Sequence, residues 1–324
     1  MLDLQRQAQP LRLSARLLPE RPVTRFAPSI TGRLHLGHVA NAALTWGLAR
    51  ATGGAVLLRL EDHDRSRFRP EHETALLDDL DWLGLVPDRG RTDEFRAGAH
   101  ELRQSDRRSA HDAVLAELAD AGLTYRCACT RASLRRRLEA AGHPPQPGVE
   151  TPYDGRCRDR AVTVDAESGC RLRLSDEEVT FEDAAVDLGQ QVQRPSEQCG
   201  DLLLVDRAGQ VTYQLGVVVD DRDQGVDLVI RGRDILDSTG RQLLLARALG
   251  RDRGPVHLHH PLIVDDGGRK LSKSDGATGL DVLRERGHDA ATVLGRAAWL
   301  IGLQEEPEPV RAEGLGALVG KCLD

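Results

Sequence analysis

His35-Leu36-Gly37-His38 is the stretch best equipped for chemistry. On a helix its two imidazoles, three residues apart, share one face, where each can donate to a phosphate oxygen. A helix N-terminus there adds unpaired backbone N–H groups and a partial positive charge. Gly37 falls in the first turns, where a missing side chain lets a ring or a phosphate reach the backbone. A second stretch, Gly267-Gly268-Arg269-Lys270-Leu271-Ser272-Lys273-Ser274-Asp275, sets glycines beside two lysines and two serines, the makings of a loop that folds over polyphosphate. Either stretch alone is equally the start of a solvated helix or a polar turn. The two together, in this order, are more specific.

A different chemistry is suggested by Cys127-Ala128-Cys129 followed by Cys157. Thiols at this spacing describe a structural zinc knuckle that staples a loop-rich segment. Zinc takes a fourth donor, and both His143 and Tyr153 are available, the latter as a phenolate whose pKa the metal lowers. Cys170, Cys199 and Cys322 lie apart and read as small hydrophobic residues. His257-Leu258-His259-His260, among Val256, Leu262 and Ile263, reads as a strand with mixed faces rather than as a metal site. The net charge of −7 excludes a protein that coats nucleic acid by bulk electrostatics. Nucleic-acid contact would need a local patch, for which Arg131, Arg135, Arg136 and Arg137 qualify.

These residues need a scaffold. Residues 23–27 form a short apolar strand broken by Pro28, Thr31 and Gly32, with Thr31 the expected N-cap of the next helix. From Leu34, apolar residues recur at helical spacing (Leu36, Val39, Ala43, Trp46) until Gly53-Gly54, and 55–60 is a second strand. A strand–turn–helix–strand unit opens a nucleotide-binding α/β sheet, whose ligands collect at the carboxyl ends of the strands. Pro70 to Gly84 and Ser105 to Gly122 are scaffold helices. Composition then changes, and short strands are expected at 171–174, 179–182 and 188–192. The α/β pattern resumes at Asp201 with strands 202–205 and 227–232, an apolar segment 213–220 between them, and a helix over 235–249. The expected plan is 22–120 as the first half of a catalytic domain, 121–200 as an insertion, 201–260 as the second half, and 261–324 as a loop with a short helical tail. A chain of 324 residues, 40% hydrophobic and 29% charged, fits a soluble protein with a substantial core. No apolar run is long enough for a bilayer, and six cysteines without a secretory signal point to the reducing cytoplasm. A monomer is expected.

With both phosphate-handling stretches in order, the chain resembles the class I aminoacyl-tRNA synthetases, whose "HIGH" and "KMSKS" signatures correspond to His35–His38 and Lys270–Ser274. It is similar to the glutamyl-tRNA synthetase family, above all to its shortened glutamyl-Q tRNA(Asp) branch. The likeness is carried by Arg25-Phe26-Ala27-Pro28-Ser29, Leu60-Glu61-Asp62, the cysteine set with Tyr153, Tyr213, and Val229-Ile230-Arg231-Gly232. The resemblance implies a Rossmann-like catalytic domain with a zinc-containing insertion and a short C-terminal helical segment. It implies structural Zn²⁺ on Cys127, Cys129, Tyr153 and Cys157, so that Tyr153 rather than His143 is the fourth ligand. It further implies L-glutamate on Arg25, Ser29, Glu61, Tyr213 and Arg231, and ATP with Mg²⁺ on Gly37, Lys270, Ser272, Lys273 and Ser274, with His35, His38 and Lys273 catalytic. Charge agrees: glutamate carries one ammonium for Glu61 and two carboxylates for Arg25 and Arg231. The implied reaction makes glutamyl-adenylate and passes glutamate to an RNA hydroxyl. The stretch after Ser274 is too short for the usual anticodon-reading domain, so the implied partner is the anticodon loop of tRNA(Asp) carrying queuosine. The alternatives are a truncated enzyme charging a tRNA 3′ end, or an inactive zinc-bearing RNA-binding paralogue. Ile30 stands where that family usually has proline, which predicts a less rigid loop.

Overall fold

The computed structural model describes residues 4–63, 68–146, 148–160, 168–264 and 279–324. In its first part, β1 (Val23–Phe26), α1 (Leu36–Thr52), β2 (Ala55–Leu58), α2 (Pro70–Leu83), α3 (Thr92–Arg96) and α4 (Arg108–Asp120) follow in order. The middle holds β3 (Thr124–Cys127), α5 (Arg131–Ala140), β4 (Gly169–Leu172), β5 (Val179–Glu182), β6 (Gln190–Gln193), α6 (Pro195–Gln198) and β7 (Leu202–Val205). Then come α7 (Tyr213–Asp223), β8 (Leu228–Gly232), α8 (Thr239–Ala248), β9 (Val256–His260), α9 (Leu280–Glu285), α10 (Ala290–Leu300) and α11 (Leu315–Gly320).

The organising sheet has the order β2-β1-β8-β9, and all of its pairings are parallel. β2 and the first three residues of β8 are apolar because both faces are covered, the usual condition of a parallel sheet, while β1 and β9 also bury polar side chains such as Thr24, Arg25 and His259. Leu57, Leu58, Leu228 and Ile230 are buried there, and α1 packs over them with Leu36, Val39, Ala43 and Leu44 in the same core. Gly53 ends α1 in the left-handed region at φ 67°, a conformation that suits glycine. The two halves of the chain meet at β1, which pairs with β2 on one side and β8 on the other. Residues more than two hundred positions apart, such as Thr24 and Leu228, are thus brought side by side.

Several expectations change. The N-cap of α1 is His35, not Thr31; the chain stays extended or bent through the intervening residues, and the imidazole supplies the cap. The segment at 213–220 is the start of helix α7. The helix expected over 235–249 begins as a 3₁₀ turn, Arg233–Ser238, and becomes α-helical only at Thr239. The strand at 202–205 forms, but as β7 it pairs antiparallel with β4 in a separate sheet of order β3-β4-β7. An apolar run of four residues marks a strand without marking its partner, and the parallel sheet resumes only at β8. The loop at Ile30 is also tighter than expected: its side chain is fully buried, and its N–H donates to the Glu61 carbonyl at 3.3 Å, a bond proline could not make.

Both chain ends are stitched into the fold. Leu11 N donates to Gly302 O and Leu13 N to Cys322 O, each at 2.8 Å, and Ser14 N reaches Ala184 O at 2.9 Å. α11, which no sequence signal marked, lies across α1 at Gly47. A Cβ on Gly47 would stand 2.3 Å from Val319 Cγ2 and 2.9 Å from the Leu315 carbonyl. Gly47→Leu is therefore expected to cost about 1–3 kcal/mol or more through overpacking. Urea denaturation measures this, and an unmoved midpoint would show that α11 does not seat on α1.

Candidate active site and cysteine cluster

The carboxyl ends of β2, β1 and β8 converge on a set of buried charges. Arg25, from β1, donates from Nε to Asp221 Oδ1 at 3.1 Å and from Nη1 to the Ile230 carbonyl at 3.3 Å. Arg59, just past β2, is fully buried and donates to Asp221 Oδ1 at 2.7 Å, Gln224 Oε1 at 3.0 Å and Glu61 Oε1 at 3.3 Å. Charges of alternating sign thus run Arg25, Asp221, Arg59, Glu61. Burial alone would pull the Arg59 guanidinium down, but Asp221 and Glu61 hold it above its ordinary value. Glu61 Oε2 makes no hydrogen bond among the described residues. Ser29 bridges to Glu61 along the chain, and its hydroxyl lies 3.3 Å from that of Thr31.

Arg231, from β8, is treated differently. Its Nε donates to His259 Nε2 at 2.9 Å, Nη1 to Gln242 Oε1 at 2.6 Å and Nη2 to Thr239 Oγ1 at 2.8 Å, and Tyr213 at the start of α7 lies near enough to act on its charge. All of these acceptors are neutral, and among the described residues no carboxylate lies within ion-pair distance. Burial lowers its pKa, as does the neighbouring Arg25, while Tyr213 and Asp221 partly offset the effect. Its donors are satisfied, but none of these acceptors supplies an opposite charge.

The histidine pair stands at the head of α1. His35 Nδ1 accepts from Gly37 N at 3.1 Å, and His38 Nδ1 accepts from His35 N at 3.2 Å. With both Nδ1 atoms accepting, a neutral imidazole at either position carries its proton on Nε2. The rings lie 3.9 Å apart between centroids. A Cβ at residue 37 would stand 2.9 Å from His35 Cε1, so Gly37 makes room for the ring that caps the helix. Asn41, one turn on, donates to Ile230 O at 3.3 Å and lies 3.1 Å from His260 Nε2, tying the helix to the edge that carries Arg231.

The structure therefore brings together Arg25, Ser29, His35, Gly37, His38, Glu61, Tyr213 and Arg231 around one sheet edge. Lys270, Ser272, Lys273 and Ser274 lie outside the described residues. Sequence reasoning missed Arg59, Asp221, Thr239, Gln242 and His259. Arg59 had a signal, an arginine inside the apolar run Val56-Leu57-Leu58-Arg59-Leu60, because a charge there must find a buried partner. The acidic pair Asp220-Asp221 was the matching half.

The cysteine cluster forms apart from this edge. The Sγ atoms of Cys127, Cys129 and Cys157 lie within 4.8 Å of one another, close enough for the thiols to hold one metal ion. Tyr153 Oη lies 3.3 Å from Cys127 Sγ and 3.8 Å from Cys129 Sγ, and accepts from Cys157 N at 2.9 Å. His143 does not join the group and is exposed. Arg171 stacks on the Tyr153 ring at 3.7 Å and points Nε at Cys127 Sγ, while Arg137 reaches Cys129 Sγ at 3.5 Å. Burial pushes the Cys129 thiol above its ordinary value, whereas at Cys157 burial is outweighed by hydrogen bonds, that of Tyr153 first, which bring it below its own. Next to the cluster an open cleft of about 470 Å³ is lined by Ser133, Arg136, Arg137 and Arg156 among others.

Comparison with known proteins agrees with this geometry. Residues 22–314 match the family model for tRNA synthetases class I (E and Q), catalytic domain. The chain is 42% identical over 300 residues to the glutamyl-Q tRNA(Asp) synthetase of Symbiobacterium thermophilum, covering 90% of each chain. It is 40% identical over 292 residues to glutamate–tRNA ligase 1 of Xanthobacter autotrophicus, covering 87% of this chain but 58% of that one. Among solved structures, the glutamate-tRNA synthetase of Elizabethkingia anophelis superposes with a TM-score of 0.75 at 26% identity, over 91% of this chain and 65% of its own.

The alternating charges predict a large effect of cutting one link. Arg59→Ala leaves Asp221 and Glu61 buried without their shared cation and is expected to cost about 3–5 kcal/mol. Guanidinium chloride unfolding would measure it, and a loss below about 1 kcal/mol would mean the carboxylates are solvated from elsewhere.

Proposed function

The chain belongs to the catalytic-domain family of class I tRNA synthetases for glutamate and glutamine, a family of ligases, and on that premise we propose that it activates L-glutamate with ATP and transfers it to queuosine in the anticodon of tRNA(Asp). The observation that carries the glutamate reading is Arg231, fully desolvated and held by neutral acceptors beside Arg25. An amino acid with two acid ends supplies the missing negative charge. Glu61, with one oxygen on Arg59, offers the other to the ammonium, and Tyr213 and Ser29 close the pocket.

Activation then needs no protein nucleophile. The α-carboxylate of glutamate attacks the α-phosphorus of ATP, the bond to the bridging oxygen breaks, and pyrophosphate leaves. His35 and His38 direct Nε2–H donors at the phosphates, and Gly37 lets the nucleotide approach the helix start. Lys270, Ser272, Lys273 and Ser274 supply the ammonium and hydroxyl groups assigned to the triphosphate. Mg²⁺ bound with ATP shields its negative charge. A hydroxyl of the queuosine cyclopentenediol next attacks the mixed anhydride, and AMP departs.

The RNA target rests on the relatives: the Symbiobacterium protein, matched over nine tenths of both chains, carries the glutamyl-Q name. The basic face beside the cysteine cluster supports RNA contact, since Arg131, Arg136 and Arg156 are exposed and make no ion pair among the described residues. We place Zn²⁺ on Cys127, Cys129, Cys157 and Tyr153, where it holds that face in shape, and we place the protein, as a monomer, in the cytoplasm with its tRNA.

Incubation with ATP, labelled glutamate and tRNA(Asp) should label the RNA only when queuosine is present. Label on queuosine-free tRNA(Glu) would instead establish charging at a 3′ end. Lys273→Ala is expected to slow glutamate-dependent ATP–pyrophosphate exchange on the order of 10²–10³-fold with little change in glutamate binding. Cys127→Ser should strip zinc from the purified protein, read by elemental analysis; undiminished zinc would remove the metal from the account.

A further inference from the structure

The inserted β5–β6 hairpin was read from sequence only as a small β-rich segment, yet its connection runs into the wall behind Arg231. Asp183, directly after β5, is buried at 1% exposure, His259 at 0% and Arg231 at 4%. Asp183 Oδ1 accepts from two backbone groups, Ala185 N at 2.9 Å and His259 N at 3.1 Å, so the carboxylate cannot turn. Its other oxygen, Oδ2, lies 2.5 Å from His259 Nδ1. An ionised carboxylate only accepts, so the His259 proton must sit on Nδ1 and the lone pair on Nε2. That lone pair faces Arg231 Nε at 2.9 Å. Burial, with the nearby Arg231 adding to it, lowers the pKa of His259 and keeps the ring neutral despite Asp183.

We propose that Asp183 and His259 are positioning residues for Arg231, and that the inserted hairpin thereby sets the geometry of the amino-acid pocket. Three further contacts support this. Asp187, in the same hairpin, pairs with Arg233 at 2.6 Å, just beyond Arg231. Gln193, in β6, accepts from Gly240 N at 2.8 Å and donates to Leu236 O at 3.0 Å, fixing the start of α8. That helix carries Thr239 and Gln242, the other acceptors for Arg231. The guanidinium is thus aimed from behind by an element outside the parallel sheet. The inference rests on reading Arg231 as a partner of a glutamate carboxylate.

Near-isosteric changes separate aim from bulk. In Asp183→Asn, the two backbone N–H groups hold the amide oxygen at the Oδ1 position, so its NH₂ must face His259 Nδ1. The imidazole then carries its proton on Nε2, and two donors oppose each other at Arg231. In His259→Asn the side chain is too short to reach Arg231, whereas in His259→Gln it is long enough to place an acceptor there. Glutamate-dependent ATP–pyrophosphate exchange should show the glutamate KM raised on the order of 10- to 100-fold in Asp183→Asn and His259→Asn. The ATP KM should stay within about two-fold, and His259→Gln should stay near the parent, with urea midpoints confirming that each variant folds. A parent-like glutamate KM in Asp183→Asn, or equal losses in both His259 variants, would overturn the proposal while leaving the activity assignment standing. A parent protein without glutamate-dependent exchange would sink the activity assignment, and this inference with it.

Discussion

Burying an ionised side chain costs several kcal/mol unless opposite charge and hydrogen bonds return it. The sheet edge of this protein buries three guanidinium groups, on Arg25, Arg59 and Arg231. Two of them are answered internally, through Asp221 and Glu61. The third is solvated by Gln242, Thr239 and His259, which accept from its donors without cancelling its charge. Everything around the site follows from that asymmetry. Arg59 is the buried cation that Asp221 and Glu61 share.

The arrangement depends on chain crossing. β1 carries Arg25, the end of β2 leads into Arg59 and Glu61, and β8 carries Arg231; parallel pairing puts their carboxyl ends on one side. Helix α7 delivers Asp221 and Tyr213 from between β7 and β8. No short segment contains the pocket, so it forms only once both halves have folded together. The histidine pair is simpler because it is local: capping, tautomer and ring placement are settled within four residues.

That difference explains what could be read in advance. The strand–helix–strand opening, the helix from Pro70, the strand at 228–232 and the cysteine grouping were legible because periodicity, breakers and spacing are local signals. The partner of β7 was not, since a short apolar run specifies a strand but not its neighbour. The cap of α1 was misplaced because Thr31 is the common kind of cap and histidine is not. α11 escaped because Leu315-Gly316-Ala317-Leu318-Val319-Gly320 is short and carries glycines, and it becomes a helix by packing against Gly47. The support of Arg231 was illegible for another reason: Asp183, Thr239, Gln242 and His259 are unremarkable residues until topology places them side by side.

The insertion poses its own physical problem. Its cysteine module has a core of only Tyr125, Cys127, Leu134, Tyr153 and Cys157 with two partly buried neighbours, little apolar area for its loops. Residues 124–160 also concentrate charge, with eight arginines against four acidic residues in a chain whose total is −7. Self-repulsion in so small a unit opposes folding unless something gathers the sulfurs and fixes Arg137 and Arg171 against them. A cation among the thiolates would do so and leave Arg131, Arg136 and Arg156 facing out. Because the Debye length is about 8 Å in physiological salt, the acidic remainder of the protein does not mask that face at contact range. Positive charge is thus concentrated on one small module rather than spread over the molecule, and the same module docks on α8 where Glu150 clamps Arg241 at 2.6 and 2.7 Å, one residue from Gln242. The cysteine module and the two side chains that accept from Arg231, Thr239 and Gln242, therefore meet on one helix.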